Sequence, residues 1–220
     1  MNPRLRLFLG GVAGTLRISV SEGFGTWLLA RHMPTLLDAN PQLTVDLVAS
    51  SGFLSPSRRE ADIAVMLSRP KAGPVLARKL SDYALRLYAA SSYLETRGTP
   101  QSVEALAAAH RMVGYVPDLI YAPELAYLEE IAPALPVQMR SSSINAQYRA
   151  IVGGAGIGVL PCFIGDSDPT LRRVLPERII TRQFWIVTHR DTSNLKRVRL
   201  GKDWIEQVIR NERPLVLGQT

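Results

Sequence analysis

Three short stretches of hydroxyl-bearing chain hold the side chains best suited to chemistry: Ser21-Glu22-Gly23-Phe24, Ser50-Ser51-Gly52 and Ser141-Ser142-Ser143. The first and third precede or open helices, and the second follows a strand. A helix start presents backbone N–H groups without an intrahelical partner and the positive end of the helix dipole. A serine hydroxyl beside it adds a donor, and the set suits a carboxylate. The same serines are also ordinary helix caps and turn formers. The ligand-binding reading gains on the capping one if the three stretches converge on one cleft.

Catalytic and cofactor chemistry finds no comparable footing. The run Gly153-Gly154-Ala155-Gly156-Ile157-Gly158 lacks strict G-x-G-x-x-G spacing. It also follows a helix and feeds a strand, the reverse of a phosphate-binding fingerprint. Helix termination and close helix–strand packing account for it. His32, His110 and His189 lie far apart, and one cysteine cannot build a thiolate site, so no metal is expected. Cys162, in Pro161-Cys162-Phe163 at a buried strand end, reads as core packing rather than as a nucleophile. No G-x-S-x-G elbow or P-loop lysine is present. Glu129 and Glu130 are adjacent, point in different directions and make a poor acid–base pair. No catalytic residue and no cofactor is expected, and the chain is not read as an enzyme.

The elements that must position the serines follow from periodicity. Gly14–Val20 alternates as a strand, and a helix runs from the Ser21 stretch to about Asp38 with Trp27, Leu28, Ala30, Arg31 and Leu36 at helical spacing. Pro34 is a potential kink inside it. After the Asn40-Pro41 turn, residues 43–48 form a second strand, so the first 35 or so residues of the domain predict a right-handed βαβ unit with parallel strands. Strands are expected over 61–67, within 78–89, and over 112–116, 137–140, 156–160 and 184–188. Helices are expected over 101–109, with Thr99 as cap and Pro100 at its first position, over 143–152, and over 194–210. This alternation predicts an α/β fold with largely parallel sheets.

Composition narrows the setting. Apolar residues make up 46% and charged residues 20% of the 220, which excludes a disordered tail, a fibre or a disulfide-stapled miniprotein. A lone cysteine precludes an intrachain disulfide and suits the cytoplasm. The longest charge-free apolar stretch, 150–165, is glycine-broken and too short to span a membrane. Net charge is +7 but uneven: +4 over 1–110, −3 over 111–170 and +6 over 171–220. There is no dense basic run interleaved with aromatics, and Lys196-Arg197-Arg199-Lys202 falls in a turn and helix start, so a solvated arginine-rich surface is the plainer account. Met1-Asn2-Pro3-Arg4-Leu5-Arg6 and the apolar residues after it faintly imitate a leader, without a clean cleavage site.

Several motifs occur in a recognisable order. They are Gly14-Thr15-Leu16-Arg17-Ile18, the Gly-Phe-Gly helix start, Arg59-Glu60-Ala61-Asp62-Ile63-Ala64-Val65 and Leu87-Tyr88-Ala89-Ala90-Ser91-Ser92-Tyr93-Leu94. Gly154-Ala155-Gly156-Ile157-Gly158-Val159-Leu160-Pro161 and then Arg190-Asp191 complete the set. Over roughly residues 14 to 212 the pattern resembles the effector-binding domain of LysR-type transcriptional regulators. The resemblance implies a type 2 periplasmic-binding-protein-like fold: two Rossmann-like α/β subdomains flanking a central cleft. The chain would cross between them near Ala89–Ser91 and Thr188–Arg190. Subdomain I would hold 14–90 and 189–212, subdomain II would hold 91–188, with 1–13 a linker remnant and 213–220 a tail.

The resemblance further implies that Ser21, Gly23, Phe24, Ser50, Ser51, Ser142 and Ser143 line the effector site. Gly23 and Phe24 stand where some members carry polar residues, which implies a partly apolar ligand; Glu22, if turned inward, would oppose an anion. The effector is expected to be a small carboxylic acid. A homodimer is expected through the helices near 23–38 and 101–109. Promoter DNA would be bound only through an upstream winged helix-turn-helix that the first thirteen residues cannot contain. The alternative is an exported periplasmic solute-binding protein of the same fold, and a third reading is a decarboxylase or lyase built on it.

Overall fold

The computed structural model describes residues 11–50, 54–132 and 135–219. Among them the strands are, in chain order, β1 (Gly14–Val20), β2 (Leu43–Ala49), β3 (Ile63–Met66), β4 (Val75–Ala90), β5 (Met112–Gly114), β6 (Val137–Arg140), β7 (Ile157–Pro161), β8 (Leu171–Val174) and β9 (Ile180–His189). The chain gathers into two units. Unit 1 holds the residues up to Leu80 together with Trp185–Asn211, and unit 2 holds Ser81–Phe184 together with the residues from Glu212 on. The chain thus passes between units three times, within β4, within β9, and between Asn211 and Glu212. The sequence placed two passages, near 89–91 and 188–190. The unit boundaries at 80/81 and 184/185 fall inside strands that continue unbroken through them.

In unit 1 the strand order is β2-β1-β3-β9. β1 lies parallel to β2 over its whole length, Gly14 opposite Leu43 and Val20 opposite Ala49. β1 and β3 are also parallel, while β3 and β9 run antiparallel. Leu16, Ile18 and Val20 of β1 alternate into the core, and Arg17 between them meets its register partner Asp46 at 2.8 Å. The Asp62 carboxylate accepts from the Arg17 backbone N–H at 3.0 Å and pairs with Arg197 at 3.2 Å. It thereby joins β1, the approach to β3 and the helix Lys196–Asn211. That helix lies close against the sheet because Gly201 has no side chain: a Cβ there would meet Leu16 and Ile63 methyls at 2.7 and 2.8 Å.

The helical stretch 22–39 changes hand-off along its length. An α-turn, Glu22–Phe24, gives way to a π segment, Gly25–Leu29, then a 3-10 turn, Ala30–His32, and an α-helix, Met33–Ala39, with Pro34 in its first turn. The π segment adds a residue to the turn and rotates the buried face. Phe24, Leu28, Leu29 and Leu36 are buried, whereas Ala30 and Arg31 of the expected apolar face are exposed.

Unit 2 has the strand order β4-β7-β5-β6, with β8 on β4. β5 is parallel to both β6 and β7, and β4 is antiparallel to β7 and β8. Its core is aromatic: Tyr83 stacks on Phe184 at 4.0 Å between ring centres, with Phe163 tilted against both. The unpredicted elements include the helices Ser91–Arg97, Cys162–Gly165 and Arg213–Val216 and strand β8. The helix expected over 101–109 begins instead at Val103. Ser102 rather than Thr99 caps it, accepting from Ala105 N–H at 3.2 Å.

Candidate functional site

Each unit brings a helix to the carboxyl edge of a parallel strand pair, where open α/β sheets present their ligands. In unit 1 the last register pair of β1 and β2 is Val20 and Ala49, so Ser21 and Ser50 emerge side by side. Ser50 N–H donates to the Val20 carbonyl at 3.2 Å and Gly25 N–H to the Ser21 carbonyl at 3.0 Å. Ser21 is extended at the N-cap, almost buried, and makes no side-chain cap bond. Gly23 and Phe24 follow in the first turn, both buried, Phe24 with no exposed surface. Phe24 thus supplies core packing beneath the helix start. Glu22 is half-buried in that turn.

The seat of this helix start is steric. A Cβ on Gly25 would lie 2.5 Å from Ala49 Cβ and 2.8 Å from Val20 Cγ2, so only glycine lets the helix rest on the two strand ends. Gly25 was visible in the Gly-Phe-Gly pattern, but nothing in the sequence identified what it touches. Behind the site, the buried Ser19 hydroxyl accepts from Leu54 N–H at 2.9 Å and ties down the far end of the loop after β2. Ser51 lies outside the described residues.

In unit 2 the helix Ile144–Val152 begins just past β6. Ser141 N–H donates to the Gly114 carbonyl at the end of β5 at 3.0 Å, and the Ser141 hydroxyl accepts from Ser143 N–H at 3.1 Å. Ser143 is the N-cap, its hydroxyl accepting from Ala146 N–H at 3.1 Å, and Ser142 is half-buried between them. Gln147, a residue the sequence did not single out, donates from Nε2 to the Ser141 carbonyl at 3.0 Å. Tyr148 anchors the helix by donating to Asp168 at 2.7 Å. Burial opposes ionisation of Asp168, but the Thr170 hydroxyl, Tyr148 hydroxyl and Thr170 N–H outweigh it and hold the carboxyl below its ordinary value.

The glycine run behaves as termination and packing. Gly153 ends the helix, Gly154 has φ +77°, and a Cβ on Gly156 would strike the Arg111 carbonyl oxygen at 2.3 Å. Gly158 sits 2.6 Å, at its would-be Cβ, from the Ile151 methyl of the same helix. No group of three or more metal-ligating side chains occurs among the described residues, and no described helix is long and apolar enough to cross a membrane. Of the basic cluster, Arg197 is engaged with Asp62 and Lys202 with the Ser193 carbonyl at 3.4 Å.

The structure therefore places Ser21, Gly23, Phe24 and Ser50 together in unit 1, and Ser142 and Ser143 together in unit 2. Known proteins share the fold. Residues 9–210 match the LysR substrate binding domain. The HTH-type transcriptional regulator CrgA of Neisseria meningitidis serogroup C is 26% identical over 204 residues, 90% of this chain and 68% of that one. The Mau operon transcriptional activator of Paracoccus denitrificans is 26% identical over 176 residues, 78% of this chain and 56% of its own length. Among solved structures, the CrgA regulatory domain superposes with TM-score 0.79 at 25% identity, covering 89% of this chain and 98% of that one. The effector domain of AmpR from Pseudomonas aeruginosa matches in fold, with TM-score 0.70 at 14% identity over 90% and 97% of the two chains. The fold is the type 2 periplasmic-binding-protein-like one of LysR regulatory domains. A family match over nearly the whole length leaves one assignment: the chain belongs to the LysR substrate-binding-domain family.

Proposed function

We propose that this domain senses a small carboxylic acid for a LysR-type transcriptional regulator. The observation that carries the reading is the paired arrangement itself, a serine-flanked helix start at the carboxyl edge of parallel strands in each unit. Backbone N–H groups and hydroxyls from Ser21 and Ser50 on one side, and from Ser142 and Ser143 on the other, would hold a carboxylate; Ser51 belongs to the same proposal. Gly23 and Phe24 belong to the same proposal, Phe24 as the packing beneath the helix start rather than as a surface that the ligand touches. Bound to both units, the effector would favour one inter-unit angle over another, and it shifts that balance only by its differential affinity for the two states.

On this reading the domain is not an enzyme, acts in the cytoplasm, and pairs as a homodimer through the helices near 23–38 and 101–109. Exposed Leu37 and the exposed Ala108 and Ala109 suit such a surface. DNA is contacted only by an upstream domain of the parent regulator. The test is a thermal-shift screen with small aromatic and aliphatic acids. A ligand at about 100 times its Kd stabilises by about 2.7 kcal/mol, a rise of roughly 5–10 °C for a domain of this size. Ser143→Ala should reduce that rise while the unliganded melting temperature falls by only a few degrees. An undiminished rise in the variant removes Ser143 from the site, and steady turnover of any acid overturns the sensor reading.

A further inference from the structure

Unit 2 carries a cavity of about 190 Å³ whose lining includes none of the serine stretches. Every residue that lines it belongs to unit 2. Its floor is a bare strand end: a Cβ on Gly114, the last residue of β5, would meet Leu128 Cδ1 at 2.6 Å and Val137 Cγ1 at 3.5 Å. Ile120, Leu125, Tyr127, Leu128, Leu135 and Val137 form an apolar wall. Tyr127 is fixed within it, its ring edge-on to Tyr115 at 6.1 Å between centres and its hydroxyl donating to the Val159 carbonyl at 3.5 Å. An apolar cavity of about 150 Å³ takes a benzene molecule, so this one has room for a phenyl or a branched aliphatic group.

The charged residues in the lining are Glu129 and Arg140, both exposed. Neither forms an ion pair with the other or with another described residue. Glu130, next to Glu129, is taken by Arg182 instead. A carboxylate alone at this cavity would meet Glu129 as well as Arg140, and an amine alone would meet Arg140 as well as Glu129. Opposite charges held apart beside one apolar space complement a molecule that carries both charges and an apolar group.

We propose that this cavity is a second ligand site, for a free amino acid with an aromatic or branched aliphatic side chain. The side chain enters the apolar wall, the α-carboxylate lies against Arg140 and the α-ammonium against Glu129. All of these contacts come from unit 2, so the site is independent of the serine-flanked carboxylate site proposed above.

Titration calorimetry of the whole chain with L-phenylalanine and L-leucine tests it. Saturable binding of at least one, with a Kd below about 10 mM, is expected, and its absence overturns the proposal. 3-Phenylpropanoate lacks the ammonium and 2-phenylethylamine lacks the carboxylate; each should bind roughly two- to fivefold more weakly than phenylalanine, the worth of an exposed ion pair. Arg140→Gln and Glu129→Gln should weaken phenylalanine by the same factor. Ala126→Trp, at an exposed position in the lining, fills the space and should abolish binding. Equal affinity for the three compounds, or undiminished binding in Ala126→Trp, overturns the proposal. If Ala126→Trp fails to fold, unchanged affinity in both charge variants has the same force. Ser143→Ala tells the two sites apart: loss of phenylalanine binding there puts the amino acid in the serine-flanked site and overturns this one, leaving that reading intact.

Discussion

The two units place a helix at the same kind of strand edge and hold it there by different means. In unit 1 the serine at the helix start makes no cap bond, and the position of the helix is set by contact: Gly25 pressed on Val20 and Ala49, Phe24 buried beneath. In unit 2 the helix start is set by hydrogen bonds, with Ser141, Ser143 and Gln147 exchanging donors and acceptors with the backbone and with Gly114. Contact tolerates no added volume but is indifferent to a lost hydroxyl. Hydrogen bonding is the reverse. Similar serine motifs in a sequence therefore do not imply similar stakes.

The contrast is open to test because the aromatic reporters are segregated: Trp27, Trp185 and Trp204 all lie in unit 1, and the seven tyrosines all lie in unit 2. Gly25→Val should have the largest effect, since overpacking of a close contact costs about 1–3 kcal/mol and both neighbours are pinned on strands. Tryptophan-detected unfolding should move down by roughly 6–12 °C at the upper end of that range. A shift below about 2 °C would show that contact does not set the unit 1 helix start.

Ser143→Ala comes next, with a loss of about 1 kcal/mol from the missing cap, read by tyrosine circular dichroism. Ser21→Ala should cost less than Ser143→Ala, because no cap bond disappears. Equal losses would erase the distinction between the units. The smallest effect is expected from acid. Asp168 is depressed in the folded state, so its ionised form stabilises above the unfolded carboxyl pKa near 3.8 and that contribution is lost as pH falls through the lower folded value. Amide exchange at the Ile144–Val152 helix should then accelerate below about pH 4 relative to a Tyr148→Phe variant, which has already lost the anchor.

Much of this was legible beforehand, and the exceptions have physical causes. β1 occupies the residues that alternation assigned to it, and the Ser143-led helix and its glycine stop lie where capping and termination signals put them. Those signals are local. β4 was expected as one or two strands within 78–89 and is a single strand of 16 residues. Gly73-Pro74 stands directly before its start, but its outer half is only partly buried and mixes apolar with polar residues, so periodicity does not mark the change of unit along it. The misplaced cap near 100 shows two local signals in competition. Thr99-Pro100 has the right composition, but the residue before a proline favours extended backbone. The preceding helix ends at Gly98 with φ +78°, leaving Ser102 to cap. At the site, the serines announced themselves by type, whereas Gly25's neighbours and the Gln147 bond depend on which strands lie together, and no short window of sequence carries that.

The Asp62 junction bears on the order in which this domain can close as it is synthesised. Its partners are residues 17 and 197, and Gly201 of the same late helix supplies the packing over Leu16 and Ile63. Unit 1 must therefore wait, with its first three strands exposed, until the helix Lys196–Asn211 has emerged from the exit tunnel. Nearly all of unit 2 is a contiguous interior stretch and is synthesised in the interval. Translation should deliver the inner half folded before the outer half closes, so pausing ahead of residues 196–211 would prolong the exposure of β1 to β3 and favour their aggregation.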